Sequence, residues 1–581
     1  MGSIKKDKQY LYHYWTYLKR YNFLLIIAFI LIPLIAFFHI IQPYIIKLAI
    51  DNYIIPGDIG GLYLMVMFFA AAVFLDFGAK TLQMYIFQYI GQKTVMDIRK
   101  DLFVHVLSYC PAYFDKTPIG ITISRLTSDI ESLNESFSSG LVTLIADFLT
   151  LIGIVAMMFL LSPKLTFITL LVLPPMILIV NFFRIKLRFY YDIIRSTIGK
   201  MNAYIQEQLQ GIIVLQLFLQ EYNSYLRFKQ LNKRYYISTI SSVTYDAMLY
   251  SLIDMINVIV ISIMIWYGFA QYQLDLISIG VLVAFIDYIH RFFMPLKEIS
   301  NKFAVLQHAL AALEKIFCTF HYKDSLKDGS VTLLDQKSII HFKNVSFAYK
   351  GFEDKLILNN INFSILPGQV FALVGPTGSG KTSILRLLGR LYDGYEGEIC
   401  YDDINISHLK INSLRSKISI VSQDIALFSE SIRFNISLGH SDITEDRMIW
   451  AARTVQIHDF IMSLANGYDT VLEKGSKSLS TGQAQLISFA RALASPAPIL
   501  LLDEATSSVD SISEKKIQDA LQALFKHKTT LVVAHRLSTI QNADHILVLN
   551  NGSIIEQGTH QDLMQQDSFY AKLFNMQFAS L

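Results

Sequence analysis

The sequence predicts two fused parts: a polytopic α-helical membrane domain of about six spans, followed by an α/β domain built around a nucleotide phosphate loop. Three observations carry this. The chain of 581 residues is 53% hydrophobic and only 17% charged, where a soluble protein would hold about a quarter charged residues. The apolar excess lies in the first 320 residues, in runs long enough to cross a bilayer. Further on, Gly375-Pro376-Thr377-Gly378-Ser379-Gly380-Lys381-Thr382 stands between a strand-like run, Val370–Val374, and a helical one starting at Ser383. The expected division is residues 1–320 for the membrane domain with long intracellular arms, 321–338 for a linker, and 339–581 for the ATP-binding domain.

The predicted spans are Phe23–Ile40, Leu62–Phe87, Leu141–Leu161, Leu165–Phe183, Met248–Phe269 and Ile277–Phe293. Lys5, Lys6, Lys8, Lys19 and Arg20 precede the first, whereas the loop at 51–61 has no basic residue, which predicts a cytoplasmic N-terminus. An even number of spans returns the chain to that side, where ATP is. The run that opens the membrane part is too long for a cleavable signal, so none is expected. A net charge of +3 makes no case for nucleic acid, and Cys110, Cys318 and Cys400 match no metal-ligand spacing. Lys93–Glu135 and Arg188–Ser242 are charged yet keep apolar residues at helical spacing. They are either helices extended into the cytoplasm or solvated hairpins.

The second part reads as short β-branched runs alternating with amphipathic helices. Strands are expected at Ile339–Phe342, Val370–Val374, Ile418–Val421, Ile499–Leu502 and Thr529–Val533. In the phosphate loop, glycines let successive N–H groups face one concavity, and the following helix adds its positive end. Lys381 is placed to reach the β- and γ-phosphates, and Thr382 to offer its hydroxyl to Mg²⁺. Asp503-Glu504 ends an apolar strand, a costly place for two acids unless a cation and a reacting water use them. Asp503 is expected on Mg²⁺ and Glu504 on the attacking water; capping of a helix is the alternative for either acid alone.

Leu479-Ser480-Thr481-Gly482-Gln483 resembles the Leu-Ser-Gly-Gly-Gln signature of the ATP-binding cassette (ABC) family, and other motifs follow in that family's order. The resemblance implies that Tyr349 stacks on adenine and that Gln423 links Mg²⁺ to the transport domain. It implies that Asp510, in Ser507-Ser508-Val509-Asp510, belongs to the loop crossing to a partner domain. It implies that His535 is the switch histidine on the γ-phosphate, and that Ser480, Gly482 and Gln483 hold the nucleotide of a partner subunit. Phe114–Gly120 with Ser124–Asp129 is similar to the first coupling segment of exporters, and Gln206–Glu221 to the approach to the second. Val471–Gly475 resembles the exporter-specific loop that touches those segments.

In the family this chain resembles, ATP is held between the phosphate loop of one domain and the signature of another. One of each therefore implies a half-transporter, working as a dimer in the cell (inner) membrane with ATP and Mg²⁺ as cofactors. The expected cargo is small, hydrophobic or amphipathic, a drug or lipid. A lipid flippase, a peptide exporter and a non-transporting ATPase that regulates a membrane partner are the alternatives. Thr481 replaces a signature glycine and Ala484 stands where Arg or Lys is common. A β-branched residue there restricts the backbone and adds a methyl near phosphate. Heterodimers of that family often pair a subunit having such a glutamate and an altered signature with one showing the reverse. By resemblance, Glu504 together with Thr481 favours a heterodimer, with a tolerated homodimer variant as the alternative.

Asp76, Asp147, Asp254 and Asp287 fall in or near the spans, where an acid is a functional candidate. Asp76 and Asp287 are expected to pair with Lys80 and Arg291 one helical turn on. Asp147 and Asp254 lack such a neighbour, and either face a cationic cargo or lie hydrated. The recurring Phe68, Phe69, Phe74 and Phe77 read as lipid-facing or packing residues.

Overall fold

The computed structural model describes residues 2–135, 140, 142–322, 326–333, 338–351, 355–473, 479–503, 511–534 and 537–578. The chain divides into two compact units. One holds residues 1–108 and 117–322, the other 109–116 and 323–581.

The first unit is helical throughout. Its elements are α1 (Gly2–Leu18), α2 (Asn22–Ala49), α3 (Ile59–Leu107), α5 (Ile119–Ser124), α6 (Ile130–Glu135) and α7 (Val142–Leu161). They continue as α8 (Pro163–Leu171), α9 (Leu173–Gln210), α10 (Ile212–Leu217), α11 (Glu221–Gln273) and α12 (Ile279–Phe320). The intervening α4 (Pro111–Lys116) belongs to the second unit. Among the described residues six helical segments are long and apolar enough to cross a membrane, and each contains one of the predicted spans or nearly all of it.

The long connections are helices, not hairpins of loop. The 49 residues of α3 and 53 of α11 correspond to roughly 75–80 Å at 1.5 Å per residue, against a hydrocarbon core of about 30 Å. Each therefore runs far beyond the bilayer. Helices α9 and α11, which form the second long connection, meet through Gly211 and the short α10, whose Ile213, Leu217 and the following Phe218 and Leu219 are exposed. Phe68, Phe74 and Phe77 of α3 are also exposed, as lipid-facing residues would be.

Two of the four acids behave otherwise than expected. Asp287 does pair with Arg291, at 3.1 Å, but Asp76 does not come within ion-pair distance of Lys80, and its Oδ1 is buried without a hydrogen-bond partner. Asp147, which has no partner on its own helix, meets Lys302 of α12 at 2.5 Å, and Glu298 shares that ammonium at 3.0 Å. Helix packing supplies a cation from a residue 155 positions away.

The second unit is an α/β fold with two sheets. One has order β2-β1-β4-β5, from β1 (Ile340–Phe347), β2 (Leu358–Ile365), β4 (Glu396–Tyr401) and β5 (Ile404–Asn405). The other has order β10-β9-β3-β8-β7-β6, with β3 (Val370–Val374), β6 (Ile418–Val421), β7 (Ile499–Asp503), β8 (Thr529–Val533), β9 (His545–Asn550) and β10 (Ser553–Gly558). Strands β9, β3, β8, β7 and β6 run parallel. All five residues of β3 and of β8 are buried, as expected for central parallel strands covered on both faces. Alternation along β3 sends Val370, Ala372 and Val374 to one core and Phe371 and Leu373 to the other. The first core is covered by α16 (Glu445–Thr454), α18 (Thr481–Ala494) and α19 (Ser511–His527). The second is shared with the smaller sheet and α13 (Lys381–Leu388).

Candidate active site

Because β3, β6, β7 and β8 are parallel neighbours, their C-terminal ends lie along one edge of the sheet. The phosphate loop follows β3, Gln423 follows β6, Asp503 closes β7, and Ala534 follows β8. Ligands of open parallel sheets bind at that edge.

The loop after β3 depends on glycine. Gly378 and Gly380 have φ of 84° and 101°, a region that costs an L-residue a steric penalty. A Cβ on Gly380 would also meet Leu358 Cδ2 at 2.6 Å and the carbonyl of Ile357 at 2.9 Å. The loop turns through Ser379 N–H donating to Pro376 O at 3.2 Å, and α13 starts directly at Lys381. Lys381 is buried, its ammonium donating to the carbonyls of Gly375 at 2.7 Å and Pro376 at 3.0 Å. Burial pushes its pKa down, and the Asp503 charge pulls it partly back. The Ser379 hydroxyl is buried with no hydrogen-bond partner, so the cradle holds one uncommitted donor beside the lysine.

Thr382, the second residue of α13, donates from Oγ1 to Asp503 Oδ1 at 3.3 Å. Phosphate loop and strand β7 thus bring together a hydroxyl and a carboxylate from residues 121 positions apart. That oxygen pair suits Mg²⁺, a hard cation that takes few protein ligands and fills its remaining positions with phosphate and water. Gln423 is exposed, two residues beyond the end of β6.

Tyr349 is half-buried. Its ring meets Phe347 and Tyr392 edge-on, with centroids 5.0 and 5.1 Å away. Its hydroxyl lies 3.0 Å from Ser383 Oγ on α13. The tyrosine is therefore tied to the helix that bears Lys381 and Thr382. Tyr392 in turn donates a hydrogen bond to Asp115 of α4, and Ala112 of α4 packs on the same apolar cluster. Burial raises the pKa of the phenol, and the hydrogen-bonded Asp115 carboxylate raises it further. Tyr392 was not singled out in the sequence, where one tyrosine among 31 carries no signal.

The signature residues start α18. Ser480 is its N-cap and accepts from Gln483 N–H at 3.2 Å, while Gln483 Oε1 accepts from Ser480 N–H at 2.9 Å. This reciprocal capping box fixes the helix start. Thr481, first in the helix, is exposed and has no left-handed φ. No left-handed backbone is therefore forced on Thr481, and its β-branch meets only the small penalty of a helical position. Its methyl remains at the exposed helix end. Gly482 is buried, as is Ala484. Among the described residues neither Ser480 nor Gln483 hydrogen-bonds the phosphate loop. Glu504, Asp510 and His535 lie outside the described residues, as do Ser507, Ser508, Val509, Lys474 and Gly475.

The fold and the loop define a P-loop ATPase fused to a helical membrane region. Residues 25–296 match the ABC transporter transmembrane region and residues 358–507 the ABC transporter ATPase domain. The chain belongs to the ABC transporter family, and it is an exporter-type permease with its own ATP-binding domain, an ATPase coupled to transmembrane transport. It is 36% identical over 97% of its length to an uncharacterized ABC transporter ATP-binding protein, YknV, of Bacillus subtilis, covering 94% of that protein. It is 34% identical to an ATP-dependent lipid A-core flippase of Syntrophus aciditrophicus, over 92% of this chain and 89% of the flippase. A probable multidrug resistance ABC transporter ATP-binding/permease protein, YheH, of Bacillus subtilis is 35% identical, over 90% and 77%. The structure of a bacterial Atm1-family ABC exporter with ATP bound superposes with a TM-score of 0.80 at 25% identity, over 96% of this chain and 98% of that one.

Proposed function

We propose that this chain is one half of a dimeric exporter of the cell membrane, moving small hydrophobic or amphipathic molecules, drugs or lipids, by alternating access. The observation that carries it is the division of labour in the ATPase unit. Its phosphate loop offers Lys381, an uncommitted Ser379 hydroxyl and the Thr382–Asp503 pair, while Ser480 and Gln483 occupy each other at the start of another helix. A second ATPase unit would present its own signature to this loop. The exposed apolar tip at Ile213, Leu217, Phe218 and Leu219 supports a seat on that partner, since such a patch at the end of a long arm needs a cover.

In this reading Tyr349 carries the adenine and residues 375–382 the phosphates. Thr382, Asp503 and Gln423 hold Mg²⁺, which would neutralise charge on the β- and γ-phosphates. Glu504 polarises the attacking water, His535 senses the γ-phosphate, and Asp510 lies on the crossing loop. Ser480, Gly482 and Gln483 serve the partner's nucleotide. The N-terminus and ATPase unit are cytoplasmic, with domains at 1–320 and 339–581 joined by 321–338. The partner is a different half-transporter, a choice resting on Glu504 together with Thr481. The names of relatives acting on lipid A or conferring multidrug resistance support the cargo class.

The test is Glu504→Gln in the assembled transporter in nanodiscs. ATP binding should persist while hydrolysis falls at least about 100-fold, a loss on the scale of removing a catalytic base. Efflux of a fluorescent amphiphile from cells should stop with it. Efflux that continues at the wild-type rate would leave a regulatory ATPase as the better reading. An active homodimer from this gene product alone would remove the heterodimer.

A further inference from the structure

Helix α2 carries Pro33 and Pro43 within its length, and α12 carries Pro295. A helical proline has no N–H, so the carbonyl four residues earlier loses its donor. For Pro43 that carbonyl belongs to His39. Arg291 of α12 supplies the missing donor, its Nη1 lying 2.7 Å from His39 O. The Tyr288 hydroxyl, one turn away on the same helix and fully buried, donates to the next carbonyl, Ile40 O, at 2.7 Å. Arg291 is itself held in place: Nη2 donates to Gln42 Oε1 at 3.0 Å, and Nε to Asp287 Oδ2 at 3.1 Å.

A second polar contact joins the same two helices eleven to twelve residues further out. Asp51, on the π-helical turn Ile50–Ile54 that ends α2, accepts from Gly280 N–H at 2.9 Å and from the Ser278 hydroxyl at 2.5 Å. Ser278 is the N-cap of α12. The approach requires glycine, because a Cβ on Gly280 would lie 2.6 Å from both Asp51 Oδ1 and Lys47 O. The spacing is the same on both antiparallel helices, about 17 Å at 1.5 Å per residue, so the two contacts share one register.

We infer that α2 and α12 are fastened into one body by these two polar staples, and that Arg291 is a positioning residue for transport which replaces the backbone donor that Pro43 removes from α2. The reason is mechanical as well as energetic. An unpaired carbonyl in hydrocarbon is costly, so the carbonyl that Pro43 leaves without its helical donor needs one from a neighbour. The neighbour, α12, is the last helix of the membrane unit before the linker, so displacement of α12 is conveyed to α2 through the donor it provides. This role rests on the alternating-access reading above.

Hydrogen–deuterium exchange of the full-length protein in nanodiscs tests it, over peptides spanning residues 36–54 and 278–292, at rest and trapped with ATP and vanadate. Arg291→Leu should raise resting exchange at residues 40–47 about tenfold, the loss expected for one charge-assisted hydrogen bond. It should also abolish the trapped-minus-resting change in 36–54 while hydrolysis continues. A merely structural arginine would lower the unfolding temperature and leave that ATP-driven change in place. Pro43→Ala returns an N–H to the His39 carbonyl, so Pro43→Ala/Arg291→Leu should exchange as slowly as Pro43→Ala alone. No rise with Arg291→Leu, or no rescue by Pro43→Ala, overturns the inference; the latter would point to a role for the charge itself. If Arg291→Leu does not reach the membrane, Tyr288→Phe, which removes one staple bond, should give the same pattern more weakly, and its absence overturns the inference equally. A wild-type protein that shows no ATP-driven change would sink alternating access, while the resting exchange still decides the staples.

Discussion

Lys528 shows what burial asks of a single charge. It sits between α19 and β8, and its ammonium donates to Ala497 O at 2.6 Å, Ser495 O at 2.8 Å and Ser419 Oγ at 3.3 Å. Desolvation, with a smaller push from Arg447, moves its pKa down to about 8. Below about pH 8 both folded and unfolded chains bind the proton, and the fold carries the full penalty, on the order of 3 kcal/mol. Between about 8 and 10.5 the unfolded chain keeps a proton the folded one has released, so stability from this group rises with pH. Replacing Lys528 with Met removes the titration. The unfolding temperature of wild type relative to Lys528→Met should therefore climb between pH 8 and 10.5. A difference that stays flat over that interval would disprove the assignment. Asp147 teaches the same lesson in the membrane unit: its companion, Lys302, is invisible to any local pattern because it arrives on another helix.

At the scale of elements, α18 has two duties that substitution can separate. Its N-cap serine completes the capping box and also presents a hydroxyl at an exposed, electropositive helix end. Ser480→Ala should cost about 1 kcal/mol of stability and lower ATPase activity. Ser480→Asp keeps a good cap but sets a negative charge where a partner's phosphate would dock. It should preserve the unfolding temperature and abolish hydrolysis by the assembled dimer. Equal activity in Ser480→Asp and wild type would mean that the helix start never meets nucleotide. The strands divide along similar lines. Those leading to the site, β3, β6, β7 and β8, are short apolar runs followed at once by functional polar residues, and each stood out in the sequence. Strand β2, Leu358-Asn359-Asn360-Ile361-Asn362-Phe363-Ser364-Ile365, is half polar and pairs through an irregular register, so its composition hides it.

At the scale of the whole molecule, the ATPase unit includes α4, a segment separated from it in sequence by the greater part of the membrane unit. Tyr349, Tyr392, Asp115 and Ala112 form a continuous path from the aromatic expected under adenine to that segment. Two side chains, Tyr392 and Asp115, connect that aromatic to α4. Tyr392→Phe should leave ATP affinity within about twofold but speed amide exchange of residues 109–116 about tenfold, by loss of a hydrogen bond to a charged acceptor. Unchanged exchange there would show that apolar packing alone seats α4.

The sequence by itself determined the class of protein, the six spans, the phosphate loop and the order of the motifs, because these depend on contiguous residues: a run of apolar side chains, a glycine spacing, an acid ending a strand. Only the tertiary structure decided that the long connections are built from helices, that Thr382 meets Asp503, that Asp147 has a cation, and that the His39 carbonyl left by Pro43 is met by Arg291. Each of these joins residues far apart in the chain. Hydrophobic period and motif spacing report what a segment will bury or bind, but the partner of a buried polar group is chosen by whichever element packs against it.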